Sequence, residues 1–295
     1  MVRSFSQSFG KAKSLSLVLV AYICALAVGA YFARMSGASH PLFGVATGYL
    51  SSAITIYIWS LALDNGSMFD AWWSVLPAGA TLWLLHLPNA NADLGRSILV
   101  TIAVLLWSIR LTSNWARDWP GLHHEDWRYV DLYKQGPKPL ISLGAIHIFP
   151  AFMVFLVSMP LVPTLCQNSH NVPWINWLAF ILCALGTTIE FVADEQMRRF
   201  SRTKQSGDVM TTGLWKYSRH PNYFGELLFW WSLWLFVLSS RPSWWWTVIG
   251  PVALTAMFLG ASIPMLDERS RKRRPAFSDY AARTSRLIPL PPKKG

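Results

Sequence analysis

The chain reads as an all-α polytopic membrane bundle of seven to eight transmembrane helices with both termini cytoplasmic, and three observations predict it. Of its 295 residues, 53% are hydrophobic and only 14% charged, against roughly 25% charge in an average soluble domain. Eight apolar runs approach the about 20 residues that a bilayer core about 30 Å thick asks of a spanning helix. The Lys and Arg residues fall almost entirely into alternate loops. A soluble multidomain protein and a disordered chain are thereby excluded. A disulfide scaffold is excluded too, because there are only three Cys (Cys24, Cys166 and Cys183), and they show no C-x-x-C spacing. Each lies in or beside an apolar run and reads as a buried thiol.

In chain order the runs are Leu15–Phe32, Leu42–Leu63, Trp72–Leu87, Ile98–Ser113, Leu140–Val162, Trp174–Phe191, Tyr223–Leu238 and Trp244–Met265. The first follows Lys11 and Lys13 as a signal peptide would. It is too long for an h-region and lacks a clean A-x-A site, so an uncleaved first helix is expected. The third and seventh are short and suit a tilted, kinked or partly interfacial helix. Counted from an inside N-terminus, 22 of the 26 Lys and Arg lie inside; only Arg34, Arg96 and Arg241 lie outside, and Arg110 sits within the fourth run. Such a bias supports an even number of spans with both termini inside. It also accounts for the net charge of +11 without nucleic acid, since a basic inner face meets anionic lipid headgroups. The polar stretches 114–139 and 197–220 and the tail 266–295 share that face, so a soluble cofactor would act there.

Ionisable groups at the ends of spans mark function by default. Arg110 and Asn114 are one turn apart on one helical face. After them runs a Glu-Asp-Trp-Arg-Tyr string, Glu125–Tyr129, which looks like a loop pairing its own charges around aromatic anchors. Glu190, Asp194 and Arg198 recur every fourth residue, as a self-satisfying ladder or as ligand groups. In the second case the carboxylates accept hydrogen bonds from a ligand, and Arg198, Arg199, Arg202 and Lys204 supply cations for phosphate. The sharpest signal is Gly213-Leu-Trp-Lys-Tyr-Ser-Arg-His-Pro-Asn-Tyr-Phe-Gly-Glu226. Pro221 suits the first turn of a helix, which puts the positive helix end beside Arg219 and His220 and suits an anion. Asn222 and Glu226 then share a face, and Gly225 permits close approach of a ligand or a helix. His123 and His124 lack metal spacing, so no metal is expected. There is no G-x-G-x-x-G or phosphate-binding loop and no G-x-S-x-G.

The block Gly213–Glu226 resembles the C-terminal signature of membrane steroid 5-alpha-reductases and sterol reductases, most closely their bacterial steroid-reductase-like relatives. The resemblance extends from about Arg110 to Pro289. It takes in the Glu125–Tyr129 string, the helix end Glu190–Arg199 and the tail Pro264-Met-Leu-Asp-Glu-Arg269, Tyr280 and Ile288-Pro289. It implies a helical membrane fold in a bacterial inner membrane, with seven spans and a cytoplasm-facing cavity for NADPH. Asp194 falls where the family has a cofactor-contacting Asp, and Arg198, Arg199 or Arg202 would meet the phosphates. Tyr217, Asn222 and Glu226 match positions lining the nicotinamide end. Arg269 falls near another cofactor contact, and Arg110 matches a family Arg. With Asn114, Glu190, Arg219, His220 and Tyr223 these make up the expected cofactor set. Residues 1–113 form the expected substrate-side half and 114–295 the cofactor half.

The chain departs from the family at the proton donor. Where the family has Gln-Glu before Leu-Pro, Ala71–Pro77 holds no carboxylate, and Trp107 replaces a Tyr three residues before the helix Arg. Asp70, Tyr57 and His86 are the nearby candidates, and Asp70, which heads the relevant helix, is taken as the catalytic acid. The resemblance thus implies NADPH-dependent reduction of a C=C bond in a lipophilic enone, with the cofactor doing the hydride chemistry. The alternative is an S-adenosylmethionine-dependent methyltransferase of the isoprenylcysteine carboxyl or phospholipid type, whose members share an Arg-His-Pro-x-Tyr-x-Gly-Glu block like Arg219–Glu226. A methyl donor would leave the Arg198–Lys204 cations without a phosphate.

Overall fold

In the computed structural model the chain is described over residues 9–37, 40–87, 91–167 and 170–293. It is all helical, with no strand among the described residues beyond an isolated Ser218–Ser285 bridge. Among the described residues six helices are long and apolar enough to cross a membrane: α1 Lys11–Gly37, α2 Pro41–Leu63, α4 Leu94–Asp118, α6 Lys138–Ser158, α8 Pro173–Thr203 and α10 Pro242–Arg273. The short third and seventh apolar runs are helices too, α3 Trp72–Leu85 and α9 Pro221–Ser240. At 14 residues, α3 is only about 21 Å long, less than the bilayer core. The described residues also form the short α-helices α5 Trp127–Leu132, α7 Leu161–Cys166 and α11 Phe277–Arg283.

The outward faces of the long helices carry Leu19, Ile23, Ile98, Ile109, Ile181 and Leu185, all exposed. So much contiguous apolar surface would drive association in water, whereas in a bilayer it meets lipid tails. The protein is therefore an integral, multi-pass membrane protein in contact with lipids. The same geometry corrects one expectation about the thiols. Cys183 is buried, Cys166 is half-buried, and Cys24 is exposed on α1. An apolar run fixes a residue's depth in the membrane, but helix rotation decides whether it faces protein or lipid.

Contacts divide the chain into two compact units, Met1–Asn171 and Val172–Gly295, a later boundary than the 113/114 division expected from function. In unit one, α1 and α2 pack against each other, and some polar side chains buried between helices find partners in other helices. Tyr49 donates to the Ser158 hydroxyl (3.0 Å), and His147 joins Ser60 (2.9 Å) to the Ser142 carbonyl (2.7 Å). Arg96, expected in an outer loop, is instead buried at the start of α4, where it binds the backbone carbonyls of Thr164, Gln167 and His170.

Unit two is built on the antiparallel pair α8 and α9. The Val172 N–H just before α8 donates to Ser239 at the far end of α9 (2.9 Å). The two ends of the unit differ in chemistry. Exposed Trp174, Trp177 and Trp245 mark one end, as an interfacial aromatic belt does. Arg198–Lys204 and Arg269–Arg274 gather at the other. With 31 residues, α8 is about 46 Å long. It outruns the bilayer core of about 30 Å, so its charged last turns project beyond the apolar layer.

Candidate functional site

The predicted site residues are distributed over both units. Asp70, Arg110 and Asn114 belong to unit one and the remainder to unit two. In unit one the turn 64–70 is laced to the loop 119–129. Asn65 donates to the carbonyls of Leu122 (3.1 Å) and His124 (2.7 Å). The Glu125 carboxylate accepts from the Gly66 and Ser67 N–H groups and from the Ser67 hydroxyl. Asp126 caps α5 and holds the Arg128 guanidinium at 2.8 Å. The Glu125–Tyr129 string is thus a loop that pairs its own charges. It does one thing more: the Tyr129 hydroxyl donates to Asp70, and Arg128 stands 3.9 Å from the same carboxylate oxygen. Arg110 and Asn114 are half-buried on α4, where Arg117 donates to the Asn114 amide oxygen at 3.4 Å.

Asp70 is 18% exposed. Burial pushes its carboxyl up to about 7, with the neighbouring Arg128 and the Tyr129 hydrogen bond offsetting part of that cost. Between about pH 4 and 7 the folded chain therefore holds a proton that the unfolded chain releases, so stability falls as pH rises through that window. The Tm of the detergent-solubilised protein is expected to fall from pH 5 to pH 8. Asp70→Asn should flatten that part of the slope, and an unchanged slope in the variant would place the titrating group elsewhere.

In unit two α9 begins at Pro221, as expected, with His220 preceding it. Asn222 reaches across to α8 and donates to Asp194 (3.4 Å). One turn further on, Glu226 is buried and accepts from Trp230 Nε1 (2.7 Å), and Glu190 is buried on the facing helix. Gly225 makes this approach possible: its Cα lies so close to α8 that an added Cβ would stand 2.6 Å from the Gly186 carbonyl oxygen. The close approach that the sequence allowed for a ligand or a helix is made by a helix. Tyr223 stacks on Phe258 with ring centroids 4.4 Å apart, and Tyr217 is exposed.

Arg198 pairs with Glu195 (2.7 Å), which also takes Arg199 (3.2 Å). Both i,i+3 and i,i+4 neighbours are within reach on a helix. Arg202 is exposed on the last turn of α8. Arg219 and His220 meet a carboxylate that sequence reasoning did not assign, Asp267 on α10, at 3.1 and 2.9 Å. Arg269 is half-buried two residues further on. The tail closes over this corner: Arg219 N–H donates to the Ser285 carbonyl (2.9 Å) and Leu290 N–H to that of Tyr217 (3.0 Å). The Tyr280 hydroxyl donates to the Trp215 carbonyl (2.5 Å). The block Gly213–Glu226, the end of α8 and the tail are thus one polar assembly at the basic end of unit two.

A family profile described as a protein of unknown function, DUF1295, matches residues 56–284. An uncharacterized protein of the fission yeast Schizosaccharomyces pombe is 27% identical over 269 residues, covering 81% of this chain and 78% of that one. A relative from a eukaryote lends no support to the bacterial setting that the resemblance implied. No solved structure matches. The chain belongs to the DUF1295 family.

Proposed function

We propose that this DUF1295 member is an NADPH-dependent membrane oxidoreductase that reduces a C=C bond of a lipophilic enone. The observation that carries the reading is the Asp194–Asn222 contact, set beside buried Glu190 and Glu226 in an assembly rich in arginine. Carboxylates and an amide suit the hydroxyls and carboxamide of a dinucleotide, and guanidinium groups suit its phosphates. Arg219 has a buried Nε without a hydrogen-bond partner, a donor of the kind a phosphate oxygen would satisfy. The donor set therefore fits the cofactor.

When bound, NADPH supplies the hydride for the enone's beta carbon. Asp194 and Asn222 would orient the cofactor, and the apolar packing around Trp230 and Phe258 would exclude water from it. A proton must also reach the alpha carbon. Asp70 holds a proton near neutral pH and is fixed by Tyr129, so we assign this pair the donor's role on its chemistry alone.

A thermal-shift titration of the purified protein with NADPH, NADH and S-adenosylmethionine tests the assignment, because a ligand that binds only the folded state raises its apparent stability. NADPH should stabilise the protein, and Asn222→Ala and Glu226→Gln should lose that response. Stabilisation by S-adenosylmethionine alone would mean methyl transfer instead. Unchanged NADPH affinity in both variants would remove Asn222 and Glu226 from the site.

A further inference from the structure

At the basic end of unit two lies an open cavity of about 430 Å³ lined by Arg219, Pro264, Asp267, Glu268, Arg271 and Arg286. Its volume is within the roughly 300–1,000 Å³ of ligand pockets. Both of its acids are already engaged. Asp267 holds Arg219 and His220, and Glu268 is bound by Lys272 at 2.7 Å. The cations are not used up in the same way. Arg219 is only 10% exposed and keeps a buried Nε without a hydrogen-bond partner. Arg286 is steadied by a single bond from Nη2 to the Leu259 carbonyl (2.5 Å), in a π-helical turn of α10. Arg271 makes no hydrogen bond among the described residues. By contrast, Arg198 and Arg199, the first expectation for a phosphate site, share Glu195.

We propose that this cavity binds a phosphate monoester, with Arg271 and Arg286 as its principal cations and Arg219 as a buried third donor. A monoester carries nearly two negative charges near neutral pH and three terminal acceptor oxygens, which three arginines lining one cavity can satisfy. A diester offers less charge and fewer oxygens. Taken with the proposed reductase activity, on which this identification rests, the ligand is the 2′-phosphate of NADPH. The cavity then sets the preference for NADPH over NADH. A lipid phosphate monoester is the other source of the same chemistry.

The full chain, purified in neutral detergent, would be titrated with NADPH, NADH and 2′-AMP. It would also be heated in nanodiscs with and without phosphatidic acid. Wild type should bind NADPH at least tenfold more tightly than NADH. Arg271→Gln/Arg286→Gln should weaken NADPH and 2′-AMP by about tenfold or more, as expected when hydrogen bonds to a charged group are lost, and leave NADH unchanged. The single Arg271→Gln, on an exposed position, should show part of that loss in a chain with wild-type Tm. Arg283→Gln, an exposed cation outside the cavity, should change nothing. Equal binding of NADPH and NADH, or a preference that survives in the double variant, overturns the site and leaves the reductase reading standing. If neither dinucleotide binds wild type, the reductase reading falls. The phosphate site then stands only if phosphatidic acid raises the wild-type Tm and not that of the double variant; no such shift overturns it as well.

Discussion

Gly225→Val is expected to abolish recovery of monodisperse protein, and Gly225→Ala to lower its Tm by several degrees. A Cβ at this position would stand 2.6 Å from the Gly186 oxygen, 2.7 Å from Glu190 Cγ and 3.0 Å from the Glu190 nitrogen. The reverse holds on α8, where a Cβ on Gly186 would lie 2.7 Å from the Gly225 oxygen and 2.9 Å from the Phe229 nitrogen. Those neighbours are mostly backbone and cannot swing aside, so the helices must separate along their shared length. Overpacking a close-packed core ordinarily costs about 1–3 kcal/mol, and in a bilayer the close approach of small residues is itself a main source of helix association. Separation would also part Asn222 from Asp194, so any surviving Gly225→Ala protein should show a weakened NADPH response. Gly260→Ala is the control, because nothing lies within 4 Å of a Cβ there. A Gly225→Ala protein with wild-type Tm would mean that α8 and α9 are not packed at this distance.

The parts of this assembly that were legible in the sequence are those governed by local rules. Pro221 opens α9 because its ring fixes φ and it has no N–H to leave unpaired, and the Glu125–Tyr129 string pairs its own charges, Asp126 with Arg128. Apolar runs located the helices but not their ends. The sixth run stops at Phe191, whereas α8 continues to Thr203, since Glu195, Gln196, Met197 and Arg198 favour a helix while ending the hydropathy signal. Pairings between distant segments carried no such signal. Gly225 read as a place of close approach, yet nothing named Gly186 as what approaches. Arg219 and His220 read as an anion site, and their carboxylate partner Asp267 lies 47 residues beyond His220. Asp70 stands out in the sequence because it heads a helix; nothing there links it to Tyr129, which binds it from 59 residues away.

Arg96 is the strongest case of a residue whose sequence setting hid its role, and Arg96→Met is expected to be among the most destabilising single changes in unit one. By position it belonged with Arg34 and Arg241 as an outer-loop cation. It is instead 1% exposed, and three of its nitrogens donate to carbonyls: Nε to Thr164 (3.1 Å), Nη2 to Gln167 (2.9 Å) and Nη1 to His170 (3.2 Å). Thr164 lies in the last turn of α7 and the other two just beyond it, where a helix has no backbone donors left to offer and a cation is favoured. Asp93 accepts the Arg96 N–H at 2.8 Å, so the residue is fixed from behind as well. Methionine would match the stem and strand the carbonyls, each at a cost of about 1–3 kcal/mol. Lysine would keep the charge but not the planar fork that reaches three acceptors, so Arg96→Lys should fall between wild type and Arg96→Met in Tm. An Arg96→Met protein as stable as wild type would show that water reaches these carbonyls and that the buried guanidinium is not what closes α7. With Arg96 inside the protein, Arg34 and Arg241 alone remain in the loops expected to lie outside, so the expected charge bias between alternate loops becomes steeper.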